Sequence, residues 1–164
     1  MPVRKRSRLP TFDYRTPGAY CVTICAYRRK AIFGCCVDDE LRPTAAALAV
    51  ERCWAEIPVH FGTVDIDVFV VMPNHVHGIL LFEDGAPTLP TVIGSFKSAA
   101  SRDIRMLSSL TSVPVWQRGY YERVVRTEEE LEAIRRYVLE NPSAWTADPE
   151  NPARSGILGS APWT

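Results

Sequence analysis

Two apolar runs rich in β-branched residues, Asp65–Met72 (DIDVFVVM) and His75–Phe82 (HVHGILLF), are separated only by Pro73-Asn74. A two-residue connection is too short for a crossover, so the pair predicts an antiparallel hairpin around which the rest of the chain must be arranged. Gly18–Tyr27 (GAYCVTICAY) sets Tyr20, Val22, Ile24 and Ala26 against Ala19, Cys21, Thr23 and Cys25, the alternation of a first strand. Pro43-Thr44 opens an Ala-rich run in which Leu48, Cys53, Trp54 and Ile57 lie near helical spacing, and Pro58 is expected to stop it. After the polar loop Glu83–Pro90, a second helix is predicted over Thr91–Leu107 from Val92, Ile93, Phe96, Ala99, Ala100, Ile104 and Leu107. Val115–Arg126 reads as a last strand interrupted at Gly119. A helix then runs from Glu128 to Asn141, with Thr127 and Glu130 at capping-box spacing and Asn141-Pro142 ending it.

The order β-α-β-β-α-β-α matches an α+β, ferredoxin-like split βαβ sandwich, an antiparallel sheet with helices on one face and an additional C-terminal helix. A length of 164 residues, 46% hydrophobic and 23% charged, suits one such domain. Its expected extent is 18–146, behind a basic arm over 1–17 and ahead of a loosely ordered tail over 147–164 that is rich in Pro, Gly and Ser. No run reaches the roughly 18 apolar residues of a membrane span, and the basic N-terminus lacks the apolar core of a secretory signal, so a cytoplasmic location without a membrane partner is expected. The five cysteines (Cys21, Cys25, Cys35, Cys36, Cys53) are odd in number and lack C-x-x-C spacing, which reads as reduced, mostly buried thiols.

A formal net charge of zero hides an uneven distribution. Residues 1–30 hold eight basic side chains against Asp13 alone, so that segment carries +7 and the remainder −7. Cationic arms neutralise nucleic-acid phosphates, although a solubilising tail has the same composition.

His75 and His77 stand two apart on a predicted strand, so both imidazoles leave one face. A divalent metal needs that geometry from a ligand pair; the competing arrangement has one ring hydrogen-bonded in the core and the other in solvent. His60 has no such partner. On the C-terminal helix Ala133, Tyr137 and Asn141 share a stripe beside the apolar stripe of Leu131, Ile134 and Val138, which places Tyr137 at the border of the core. Such a tyrosine packs with its hydroxyl at the rim unless a metal site lies opposite. Asn141 is placed either to cap the helix or to offer a neutral oxygen ligand. Tyr120 and Tyr121 are rival tyrosines, and as neighbours on a strand they must point to opposite faces.

VVMPNHVHGILL (Val70–Leu81) resembles the histidine-hydrophobic-histidine (HUH) segment of single-strand DNA transposases, and RRYVLENPSAW (Arg135–Trp145) resembles their nucleophilic-tyrosine helix. Three further segments, RLPTFDYRTPGAYCVTI (Arg8–Ile24), VIGSFKSAASRDI (Val92–Ile104) and VWQRGYYERVVRTEEEL (Val115–Leu131), are similar to the REP-associated tyrosine transposases, relatives of the insertion-sequence enzymes. This resemblance implies that His75 and His77 bind Mg²⁺ or Mn²⁺, that Asn141 falls at a third, amide-bearing ligand position often occupied by Gln, and that Tyr137 is the nucleophile. It implies cleavage and rejoining of single-stranded DNA beside hairpins, namely repetitive extragenic palindromes, through a 5′-phosphotyrosine adduct, by a monomer or homodimer at the bacterial nucleoid. Arg4, Lys5, Arg6 and Arg8, with Lys97 and Arg102, are the candidate DNA contacts, and Phe12, Tyr14 or Trp116 are candidates to stack on unpaired bases, with packing in the core as the equal alternative for these aromatics.

Other readings are a rolling-circle replication initiator, which shares the chemistry, a non-catalytic nucleic-acid-binding ferredoxin-like module, and a metal-dependent hydrolase or oxygenase. The last lacks an Asp or Glu at the spacing of a known triad. The module would be expected to carry stacking aromatics on its first and third strands, and that pattern is absent.

Overall fold

The computed structural model describes residues 17–38, 40–108 and 112–145. Its sheet is built from β1 (Gly18–Cys25), β4 (Val64–Met72), β5 (His75–Phe82) and β6 (Tyr121–Val125), all antiparallel in the order β4-β5-β1-β6. That is the strand order of a split βαβ sandwich: the Pro73-Asn74 hairpin lies to one side, with β1 inserted between β5 and the last strand. The helices are α1 (Ala45–Ala55), the single turn α2 (Ile57–His60), α3 (Leu89–Leu107) and α4 (Glu128–Glu140).

Several boundaries differ from the sequence reading. The first helix ends at Ala55, and Pro58 sits in the first turn of α2, where a missing N–H costs nothing. For the same reason α3 starts at Leu89, two residues before the expected Thr91, because Pro90 lies in its first turn and Thr88 caps it by accepting from the Thr91 N–H at 3.3 Å. The last strand begins only at Tyr121. Ahead of it Gly119 takes a left-handed φ of +79°, and Trp116 makes an isolated bridge with Ala26. A small ribbon of β2 (Gly34–Val37) and β3 (Glu40–Pro43) was not foreseen, since GCCV and ELRP show no alternation to mark them. Helix α4 opens as expected, with Thr127 accepting from the Glu130 N–H at 3.1 Å and three glutamates in its first turn complementing the helix dipole.

The two faces of the sheet carry separate cores. On one, α1 and α3 cover Tyr20, Val22, Ile24, Val76 and Leu80. Trp54 lies at its centre, stacked on Phe69 with ring centroids 4.4 Å apart and meeting Phe96 edge-on at 5.2 Å. Gly78 of β5 forms the floor under that indole: a Cβ there would stand 2.4 and 2.7 Å from two ring atoms of Trp54. On the other face, Leu131, Ile134 and Val138 of α4 cover Cys21, Ile79 and Val125. Cys21, Cys25 and Cys53 are buried free thiols and Cys35 is exposed; burial pushes Cys21 up to about 12 and Cys53 up to about 11. No helix among the described residues is long and apolar enough to cross a membrane.

The Trp54 contact sets a test with its own control. Gly78→Ala is expected to destabilise the protein by about 1–3 kcal/mol through overpacking. Gly94→Ala, in α3 where a Cβ meets nothing within 4 Å, should be neutral or stabilising by up to about 1 kcal/mol. Urea unfolding of both variants measures the difference.

Candidate active site

On β5, residues 75, 77 and 79 face α4, while Val76, Gly78 and Leu80 face the other core. His75 and His77 thus enter the space under the C-terminal half of α4, and both are buried. Their Nε2 atoms lie 3.0 Å apart. Each Nδ1 is held from behind, His77 by the Thr23 hydroxyl at 2.8 Å and His75 by Asn74 Oδ1 at 2.7 Å. Asn74 Nδ2 donates to the carbonyl of Arg29 at 3.3 Å, which orients its amide so that Oδ1 accepts. The proton of neutral His75 is therefore on Nδ1, and its Nε2 presents a lone pair. Burial lowers the pKa of both rings, that of His77 to about 4; for His75 the neighbouring His77 and Arg29 add to the burial effect. Both imidazoles are neutral at physiological pH, the form that ligates metals.

Two facing nitrogens at that separation need a proton or a cation between them. Two neutral imidazole nitrogens converging at 3.0 Å are a donor pair that would hold a single divalent ion. Asn141 caps α4 one turn beyond Tyr137; it is buried, and its Nδ2 has no partner among the described residues. An amide buried with unmet hydrogen-bonding capacity suits a third ligand, its oxygen and nitrogen being interchangeable by a flip. Among the described residues there is no group of three or more His, Cys, Asp and Glu side chains that would form a richer site.

Helix α4 supplies the nucleophile candidate. The Tyr137 ring is half-buried and lies 5.9 Å from the His77 ring at 72°, and Trp145, just past the helix, stands 5.9 Å from His75. The helix is held in this position by an ion pair at a bulge. In β4 the register shifts between Ile66 and Phe69, which turns Asp67 toward α4 beside Val68. Asp67 accepts from Arg135 Nε at 3.1 and 2.9 Å through its two oxygens and pairs also with Nη2; Arg135 is shared with Glu132. The Arg135 guanidinium holds the Asp67 carboxyl below its ordinary range of 3.8.

The structure brings together His75, His77 and Tyr137, with Asn141 buried one turn further along α4. It separates Lys97 and Arg102, which lie on α3 at the opposite face of the sheet. Lys97 donates to the carbonyls of Gln117 at 2.9 Å and Gly119 at 3.0 Å, fastening the segment before β6, while Arg102 is exposed beside Asp103 at 3.6 Å. Trp116 is buried against Phe33 and Phe96, so it belongs to the core and does not present a ring for bases. Tyr120 is buried in the α1–α3 core, and Tyr121 faces the histidine side. Arg4, Lys5, Arg6, Arg8, Phe12 and Tyr14 lie outside the described residues, as do the arm up to residue 16 and the tail from 146. Thr23 and Asn74 were missed as site residues. Asn74 reads in sequence as a turn former, and the burial of its side chain is what reveals its second use.

The pattern of the family described as IS200-like transposases matches residues 19–141, from β1 to the cap of α4. The chain belongs to that family. An uncharacterised protein of Haemophilus influenzae is 31% identical over 166 residues, covering 88% of this chain and 91% of its own. The structure of a REP-associated tyrosine transposase bound to a REP hairpin superposes with a TM-score of 0.65 at 15% identity, covering 94% of this IS200-like chain and 95% of the other. A protein of Deinococcus radiodurans R1 assigned as a transposase gives 0.52 at 18% identity, covering 82% and 96%. At these identities the two structures bear on the fold, and they support the ferredoxin-like sandwich with the added C-terminal helix.

Two expectations follow. A carboxylate whose pKa is lower folded than unfolded contributes stability above its ordinary value and loses it as the pH falls through the folded one. Asp67→Asn should therefore unfold at lower urea than wild type at pH 7, and the gap should close in acid. If the histidine pair holds Mn²⁺, Asn74→Ala, which frees the His75 ring, should weaken that binding by about 10–100-fold in titration calorimetry, with the unfolding midpoint followed alongside.

Proposed function

We propose that this transposase-family protein is a metal-dependent single-stranded DNA endonuclease and strand transferase that acts beside hairpins, REP-like palindromes among them, through a 5′-phosphotyrosine at Tyr137. The observation that carries the reading is one helix presenting Tyr137 over a buried pair of neutral imidazoles whose Nε2 atoms are 3.0 Å apart. His75 and His77 would hold Mg²⁺ or Mn²⁺, with the Asn141 amide as third ligand. The ion would supply charge neutralisation at the non-bridging phosphate oxygens and at the departing 3′ oxygen.

The chain's own residues do the remainder. Tyr137 Oη forms the bond to phosphorus as the P–O3′ bond breaks; its hydroxyl proton passes to water and the 3′ oxygen ends as a hydroxyl. The aryl phosphodiester retains the bond energy, so a 3′-OH can reverse the step without a nucleotide cofactor. A tyrosine with an ordinary pKa of about 10 gains from being held rather than from being ionised in advance, and α4 holds it on the same stripe as Asn141. The REP-associated relative was captured with a hairpin, which supports a hairpin-flanked substrate here; the basic residues of the arm suit the phosphate backbone.

Incubation of the full chain with Mn²⁺ and a suicide single-stranded substrate tests this. Wild type, Tyr120→Phe and Tyr121→Phe should give a covalent protein–DNA band, and Tyr137→Phe should give none. His75→Ala and His77→Ala should abolish the adduct while hairpin binding by gel shift stays near wild type. An adduct surviving in Tyr137→Phe would sink the assignment.

A further inference from the structure

The course of α4 leaves one corner of the histidine face open. Its first turn is tied to the far end of β6, where Glu130 accepts from the Arg126 N–H at 2.9 Å and meets Arg123 at 3.4 Å. Its later turns are tied toward the opposite edge, by Arg135 to Asp67 of β4 and by Tyr137 over His77. The helix therefore crosses the sheet diagonally, and the start of β6 lies outside its cover. Tyr121 stands there.

Register fixes its position. Thr23 of β1 pairs with His77 on one side and with Tyr121 on the other, so His77, Thr23 and Tyr121 form one cross-strand row on one face. With strands about 4.8 Å apart, the backbone of Tyr121 is roughly 10 Å from that of His77. His77 and Thr23 are buried, whereas Tyr121 is 49% exposed, on a strand with no further neighbour among the described residues. Its neighbour Tyr120 fills the opposite core. The exposed ring is thus unexplained by packing and continuous with the site, and the exposed Arg118 precedes it by three residues.

We propose that Tyr121 is a stacking platform for one unpaired nucleobase of the DNA strand whose phosphate lies at His75 and His77. The inference rests on the function proposed above and adds a positioning residue to it. A flat phenol ring offers any base a π-face at low entropic expense, and it holds the strand beside the site without touching the reacting atoms.

The full chain with Mn²⁺ and single-stranded oligonucleotides carrying 2-aminopurine, or an abasic site, at successive positions around the scissile phosphate provides the test. Wild type and Tyr121→Phe should quench 2-aminopurine at one position. Tyr121→Ala should lose that quenching and bind about tenfold more weakly, while its adduct rate at saturating DNA stays near wild type. An abasic site at that position should weaken wild type to the same extent and add nothing to Tyr121→Ala. Intact quenching in Tyr121→Ala, or losses that simply add, would overturn the stacking role. A wild-type protein that binds no single-stranded DNA would bring down both proposals, whereas a wild-type adduct with an unaffected Tyr121→Ala brings down this one alone.

Discussion

Two neutral imidazoles buried with their Nε2 atoms converging is the arrangement on which the rest of this structure depends. Left to themselves, rings on one strand face would turn to satisfy whichever nitrogen was nearer a partner. Here each is locked from behind, His77 by Thr23 on the neighbouring strand and His75 by an asparagine whose amide is itself oriented by a carbonyl. The carbonyl belongs to Arg29, in a turn where Arg28 and Arg29 both take left-handed φ values of 53°. Non-glycine residues hold such angles only where the surroundings over-determine them. The strained turn after β1, the hairpin turn before β5 and the ring of His75 thus form one hydrogen-bonded chain that ends at the site.

The second requirement is a helix delivered to the same place. Apolar contacts of Leu131, Ile134 and Val138 supply adhesion, yet a greasy stripe can slide or rotate on a sheet with little change in buried area. The Asp67–Arg135 pair is directional and depends on a bulge in β4 that turns the carboxylate toward the helix. The capping at Thr127 fixes where α4 begins, and the pair fixes how it lies; together they settle where Tyr137 points. The diagonal that results covers the histidines and uncovers Tyr121.

Most of the architecture was legible because its signals are local. The hairpin follows from two strands joined by two residues, α4 from its capping box, and the antiparallel order from the alternation of strand and helix patterns. The elements misjudged were those where one residue type has two meanings. Proline was read as a stop at Pro58 and sits instead in the first turn of a helix there and at Pro90. For Trp116 the sequence leaves base stacking and core packing equally open, and the structure places it in the core, because burial depends on what crosses above it. Lys97, a candidate DNA contact in sequence, also has its ammonium engaged by two backbone carbonyls of a distant segment, a partner set that no window of sequence displays.

The sequence by itself determined the four strands of the main sheet, the three long helices and the fact that His75 and His77 leave one face, since the period of a strand is fixed by covalent geometry. That Tyr120 and Tyr121 part to opposite faces follows from the same rule. What only the tertiary structure decided is which face each of them joins, that α4 lies over the histidines, that Thr23 and Asn74 hold the two rings, and that Tyr121 remains open beside them. Those outcomes depend on strand register, on a bulge and on one ion pair spanning 68 positions of sequence. Interactions between residues so far apart exist only once the chain has closed on itself.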